Sequence, residues 1–450
     1  MPGIHDAHVH VMVAGLSQLS TANLGLEEAI PASEAAGKLK TAACGCQYAH
    51  AFSNWLVADA YHIDDFDRSC LDEAYPDTPI MIRAAAGHSL LLNTVALQES
   101  GYDISNEPPA KGSYLGRRLD GSLTGEVAEL GMTKALISYP KPNLFHVKRA
   151  VQHAVCQLHK AGVTSCQEAS ANTPMLQALG QLDGDNQLKM DLYTHIVYAP
   201  EHLGEEPASQ LHKLLDSAEL FKTKHVNTQF VKIMLDGVPL APYYTHAGLS
   251  GKNEVDEDKI CVDDVVEAVA RALDAIEAAR KRNPGGPRHE IAHCSGVHDD
   301  DYSRFRALNT TAEMSPSIFF THSFSPTENA LMDWNFPRML SHNAHITIGS
   351  DWGVTEPPSL FPGVEGIVPA VGNGDRAKGA TTLLRMLTLS GAEAVGREEE
   401  TGSIQVGKRA NFIQVDRDLS IGREGAFRDA KVQKTWFEGE VVFEASTRQL

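Results

Sequence analysis

Short apolar runs alternate along the chain with longer amphipathic stretches, the pattern left when parallel strands are joined by crossover helices. The spacing predicts strands over Thr78 to Ala84, Val163 to Gln167, Leu192 to Tyr198, Gln229 to Leu235, Glu290 to Cys294, Thr311 to Ser315 and His345 to Gly349. The plainest helix runs from Val265 to about Lys281, with Val265, Val269, Leu273 and Ile276 on one stripe. Asp264 with Glu267 gives it a capping-box start, and Asn283-Pro-Gly-Gly-Pro stops it. The class is therefore α/β. Most of the predicted strands end on polar or ionisable residues, which suits a (β/α)8 barrel, whose chemistry sits at the carboxyl ends of its strands. His10, Glu168, Lys232, His293 and Asp351 lie at or near such ends. After a last helical stretch through Ala394 the pattern turns to short strands with glycine turns. Residues 1–395 are expected to form the barrel and residues 396–450 a small β annex.

Composition narrows the function. In 450 residues, 42% hydrophobic and 22% charged, there is ample material for a packed core. The formal charge of −19 argues against nucleic acid and anionic membrane as partners, leaving a small-molecule substrate as the expected one and a homo-oligomer as compatible. The seven cysteines, at 44, 46, 70, 156, 166, 261 and 294, lack the spacing of a disulfide framework or zinc ribbon. Cys44-Gly-Cys46 is too close for a zinc knuckle and reads as two plain thiols. With no signal-peptide pattern and no apolar run of membrane-spanning length, the expected location is cytoplasmic.

The 20 histidines direct attention to metal and proton chemistry. His8 and His10 stand two apart at a strand end and so share a face, where both imidazoles can reach one cation. Alone, such a pair is more often two surface or core histidines. Lys232 lies in the apolar strand Phe-Val-Lys-Ile-Met-Leu-Asp-Gly, where an ammonium is costly unless it snorkels, is paired or is modified. His293 and Asp351 complete a series ordered along successive strand ends.

These residues fall within motifs that run through nearly the whole chain: Asp6-Ala-His-Val-His10, Gly87-His-Ser89 with Asn93, Leu119-Asp-Gly-Ser-Leu-Thr-Gly125, Gly162-Val-Thr-Ser165, Val231-Lys-Ile-Met-Leu-Asp-Gly237, His289-Glu-Ile-Ala-His293, Gly349-Ser-Asp-Trp352 and Gly402-Ser-Ile-Gln-Val-Gly-Lys408. Together they resemble the amidohydrolase superfamily, in the branch that includes N-substituted formamide deformylases. The resemblance implies a metal-dependent hydrolase acting on a carbon–nitrogen bond, a linear amide or formamide. It implies a divalent, zinc-type centre in which His8, His10 and Asp351 hold one metal, His293 serves a second position, and a carboxylated Lys232 bridges. Asp351 and His293 would be catalytic, Asp351 moving the proton of the attacking water. His88, Asn93, Glu129 and Glu168 are the candidate substrate contacts.

Two departures from the family pattern shape the alternatives. A strand ending in His-Ala-x-Gly-Asp is expected between the lysine strand and the His293 strand. Here only Lys259-Ile-Cys-Val262 stands there, and Asp263 and Asp264 read as helix caps. The chain also starts almost on its first barrel strand, so the annex is expected to lack amino-terminal partners, as in a shortened version of the family. The barrel is then distorted or incomplete near its fifth strand. The second metal position is weakened, and a non-catalytic relative that binds a small molecule or partner is the competing reading. A deaminase or decarboxylase on the same scaffold is a third, because fold and metal do not fix the reaction.

Overall fold

A computed structural model describes residues 1–26, 28–43, 51–84, 87–110, 112–236, 265–294, 297–320, 334–354 and 357–446. The cysteines at 44, 46 and 261, the stretch Lys259 to Val262, and the caps at Asp263 and Asp264 lie outside these residues. The chain opens on β1 (Ile4–Val9), which is buried along its whole length. An excursion follows that the sequence pattern did not separate from the barrel. It contains β2 (Ala22–Asn23), β3 (Ile30–Pro31), β4 (Leu56–Asp59), β5 (Ile63–Asp64), β6 (Ile80–Ala84), β7 (Ser89–Leu92), β8 (Ser113–Arg117) and β9 (Leu123–Glu129).

Six of these strands form one sheet in the order β2-β4-β6-β7-β9-β8, and β3 pairs with β5. Successive side chains of a strand point to opposite faces, and here both faces are covered. Val57, Met81, Leu90 and Leu92 join the main core, whereas Ala58, Ile80, Ile82 and Leu91 join a second core with Leu39 and Leu71 from the helices beneath.

The parallel scaffold then resumes. β10 (Val163–Ala171), β11 (Asp191–Ala199) and β12 (Val226–Ile233) follow β1 in one four-stranded arc, all parallel. β13 (His289–Ile291), β14 (Thr310–Met314) and β15 (His345–Ile348) make a second parallel arc. The arcs meet where Val9 bridges to Trp352, with His10 N donating to Trp352 O at 2.8 Å. Among the described residues no ladder joins β12 to β13, so the fold they show is a parallel α/β scaffold in two arcs. β10 is buried at every position, as expected for a parallel strand covered on both sides. The helix Leu144–Lys160 lays Val147, Val151, Ala154 and Leu158 on the core. The amphipathic helix runs over Val265–Arg282, as its stripe predicts, and buries Val269 and Leu273. No helix among the described residues is long and apolar enough to cross a membrane.

The annex is an antiparallel sheet of β16 (Phe412–Val415), β17 (Val432–Phe437) and β18 (Glu440–Glu444). Residues 1–3 run along its β16 edge, with an isolated bridge from Pro2 to Phe412. The Met1 ammonium donates to Ile413 O, Ile413 N donates to Met1 O, and Gly3 N donates to Asn411 O, at 2.9–3.0 Å.

Candidate metal centre

The centre is built where the two arcs meet. His8 is the second-to-last residue of β1 and His10 follows the strand. Their rings stand 5.5 Å apart and face the same side. Asp351 follows β15 and is placed by its backbone N–H, which donates to His8 O at 2.8 Å. Its φ of +52° puts it in the left-handed region, an uncommon setting for a non-glycine residue that the surrounding structure must hold.

Asp6 ties this corner together: its carboxyl accepts from Ser350 N at 2.9 Å, Ser350 Oγ at 2.6 Å and His8 N at 3.2 Å. Burial pushes that carboxyl up to about 7. One ligand atom from each of His8, His10 and Asp351 lies within 4.8 Å of the other two. Asp351 Oδ1 is 3.3 Å from His10 Nε2 and 3.8 Å from His8 Nε2, yet it is buried and accepts no hydrogen bond from the described residues. Two imidazoles and a carboxylate with an orphaned oxygen suit a divalent cation of the zinc class.

His293, at φ +51°, lies just beyond β13. Its ring centroid is 4.3 Å from that of His8, and its Nε2 is 3.8 Å from Asp351 Oδ2. It stands at the edge of the cluster, outside the three-residue group. Lys232 of β12 also faces the cleft. Desolvation lowers its pKa below the ordinary lysine value, against the opposing pull of Asp351, Glu313, Glu290 and Asp236. Desolvation acts to raise Asp351, but His10, His293 and Lys232 outweigh it and hold the carboxyl down at about 2. Burial lowers His293 to about 4, leaving it a neutral imidazole at neutral pH.

The four expected substrate contacts divide. His88 comes from the loop before β7 and lines the cleft. Burial acts to lower its pKa, but Glu129, with oxygens 3.1 and 3.3 Å from Nδ1, brings the net value above that of an ordinary histidine. Glu129 itself stands behind His88, off the cleft lining, with φ 50° and ψ −129°, a region that costs a non-glycine residue about 1–3 kcal/mol.

Asn93 is corrected. Its Oδ1 accepts from Ile80 N and Ala96 N, and its Nδ2 donates to Thr78 O and Tyr75 O. All of its hydrogen-bonding capacity goes to capping the helix Thr94–Glu99 and tying β6 down. Glu168 is corrected likewise, since its oxygens accept from Val11 N, Ser170 N and Ser170 Oγ and it does not line the cleft.

Sequence reasoning passed over Glu313, which is fully buried on β14 and whose carboxylate lies 3.7 Å from His8 Nδ1 and 3.8 Å from His293 Nδ1. Burial raises it to about 8. An acidic residue in Thr-Thr-Ala-Glu-Met, an otherwise uncharged strand, is the same signal that singled out Lys232. The cleft above these groups has a volume of about 1480 Å³. Its far wall carries Tyr61, Arg83 and His88 from the inserted sheet and its loops, with Asp59 holding Arg83 at 2.7 Å.

Fold and site together define a parallel α/β protein with a candidate metal centre at its strand ends. The chain belongs to the amidohydrolase family, a family of hydrolases, whose sequence profile matches residues 1–443. It is similar to an N-substituted formamide deformylase of Arthrobacter pascens, 24% identical over 424 residues, covering 83% of this chain and 75% of that one. It is also similar to the protein LONG AFTER FAR-RED 3 of Arabidopsis thaliana, 22% identical over 92% of this chain and 77% of that one. Among solved structures, an uncharacterized metal-dependent hydrolase from Pyrococcus horikoshii shares the fold, with a TM-score of 0.66 at 19% identity, over 94% of this chain and 87% of that one.

Proposed function

We propose that the chain is a metal-dependent hydrolase that cleaves a carbon–nitrogen bond in a small molecule, a linear amide or formamide. The observation that carries this reading is the set of His8, His10 and Asp351 ligand atoms within 4.8 Å of one another, with a buried Asp351 oxygen that no hydrogen bond from the described residues satisfies. The deformylase relative supports the substrate class. The two arcs and the Val9 to Trp352 bridge support a closed barrel as its frame.

In this reading His8, His10 and Asp351 hold one divalent cation, taken as zinc, and His293 and Lys232 stand at the second position. A bound cation of this class lowers the pKa of water towards ~7 and polarises a carbonyl. Asp351, ionised at neutral pH, accepts the proton of the attacking water and returns it to the leaving nitrogen. Neutral His293 and the Glu129-backed His88 line the cleft as groups able to orient the substrate. The Lys232 amine, in its unprotonated form, can add to carbon dioxide, forming an N–C bond and releasing one proton, which leaves a carbamate oxygen donor. Labelling with 13C-bicarbonate should then give a carbamate carbon signal that is missing in Lys232→Ala.

The reaction is tested with zinc-loaded protein and a panel of N-substituted formamides and linear amides. Asp351→Asn should lower kcat by ~1000-fold, the scale of a lost acid–base group, and chelation should abolish turnover. Turnover unchanged in Asp351→Asn, or no turnover of any panel member by metal-loaded wild type, would sink the reading.

A further inference from the structure

Two of the imidazoles that face Asp351 are held from behind in the same way. Glu168 near the end of β10 is followed two residues on by Ser170, and Glu313 near the end of β14 is followed two residues on by Ser315. Ser170 Oγ lies 3.3 Å from Glu168 Oε1, and Ser315 Oγ lies 2.8 Å from Glu313 Oε1. The same two hydroxyl oxygens are 2.8 Å from His10 Nδ1 and 3.2 Å from His293 Nδ1. Each glutamate is pinned in turn by backbone. Glu168 accepts from Val11 N and Ser170 N, and Glu313 accepts from His293 N at 3.0 Å.

A serine hydroxyl has one proton to donate. Spent on a carboxylate, which is acceptor-only, it leaves the hydroxyl oxygen to accept from the imidazole, so the ring proton sits on Nδ1 and Nε2 is bare. The two bare nitrogens then face opposite oxygens of one carboxylate: His10 Nε2 is 3.3 Å from Asp351 Oδ1, and His293 Nε2 is 3.8 Å from Asp351 Oδ2.

We propose that Glu168 with Ser170 and Glu313 with Ser315 are two copies of one positioning device, which fixes the tautomer and aim of His10 and His293 so that both present Nε2 beside Asp351. The device explains why a glutamate sits on each of two buried strands without lining the cleft. Hydrogen-bond partners of this kind orient metal-ligating histidines and typically contribute 10–100-fold to metal affinity. The proposal rests on the metal-centre part of the preceding reading and not on the reaction.

The test uses the full chain with 15N-labelled histidine and two measurements. The first is the imidazole 15N shifts of metal-free protein at pH 9, where histidine side chains are neutral and each ring carries a single proton. The second is zinc affinity by competition with a chromophoric chelator. In wild type both rings should show a bare Nε2. Ser170→Ala and Ser315→Ala should each mix the tautomers of the ring concerned and weaken zinc ~10–100-fold at the position that ring serves, the first for His10 and the second for His293, and Ser→Thr at either position should restore both readouts. Alanine variants that melt like wild type, keep the bare Nε2 and bind zinc equally well would overturn the device, as would wild-type rings protonated on Nε2. Zinc binding with the expected tautomers but no hydrolysis would leave the device standing and remove only the proposed reaction.

Discussion

Gly349 shows how tightly the centre is set. A Cβ at this position would lie 2.4 Å from Glu313 Oε1 and 2.5 Å from His8 Cβ. Glu313 cannot swing aside cheaply, because the His293 N–H and Ser315 hydroxyl hold it. Gly349→Ala should therefore cost about 1–3 kcal/mol of stability, the usual penalty for overpacking. It should also loosen zinc, because His8 or Glu313 must move. Thermal melting and chelator competition measure the two effects, and an alanine variant equal to wild type in both would show that the corner yields. His8, His10 and Asp351 were legible at this scale because ligand residue types at strand ends leave a mark in the sequence. Glu313, Ser170 and Ser315 were less so. Their role exists only once β14 stands beside β13, with Ser315 against His293 22 residues away, and once Ser170 stands beside His10, 160 residues away.

The inserted sheet was the least legible element. Its strands β6 and β7 are buried nearly throughout, so Thr78 to Ala84 reads as one more barrel strand and Leu90-Leu-Leu lacks the alternation that would mark a half-exposed strand. Their antiparallel pairing depends on partners that single-strand patterns do not reveal. Asn93 was misread for a related reason. It stands directly before Thr-Val-Ala-Leu-Gln and is the helix cap that local rules favour, but its place in a motif shared with His88 drew it towards the cleft. Removing the side chain in Asn93→Ala leaves the buried Ile80 N and Ala96 N without their acceptor. The expected cost is about 2–4 kcal/mol from the lost cap and unmade buried bonds, read as a lower Tm. KM should stay within about twofold. His88→Gln should do the reverse, lowering kcat/KM with little change in Tm. An Asn93→Ala protein with wild-type melting and a raised KM would return Asn93 to the cleft.

Across the whole molecule, burial keeps several histidines neutral. It lowers His159 and His202 to about 4, and His5 and His195 to about 3. An unfolded chain takes up these protons near 6.5, whereas the folded chain resists until pH is much lower. The stability they contribute is present above pH 6.5 and is lost as pH falls from there, through 4 for His159 and His202 and on to about 3 for His5 and His195. Metal-free protein should lose stability over that window. His159 is far from the centre, its Nε2 2.8 Å from Lys189 O, so His159→Gln can keep a donor there without titrating. Denaturant melts at pH 4.5 should find the variant retaining about 2 kcal/mol more of its neutral-pH stability than wild type, and superimposable pH curves would contradict this. The separation of the two hydrophobic cores reaches further than stability. The sheet that carries Tyr61, Arg83 and His88 into the cleft packs its outer face, through Ile82 and Leu91, on Leu39, Ile63 and Leu71, none of which belongs to the core around His8. Substitutions beneath that sheet can shift the wall by small steps while His8, His10 and Asp351 stay fixed, so the shape of the cleft can drift or be redesigned without rewriting the candidate metal centre.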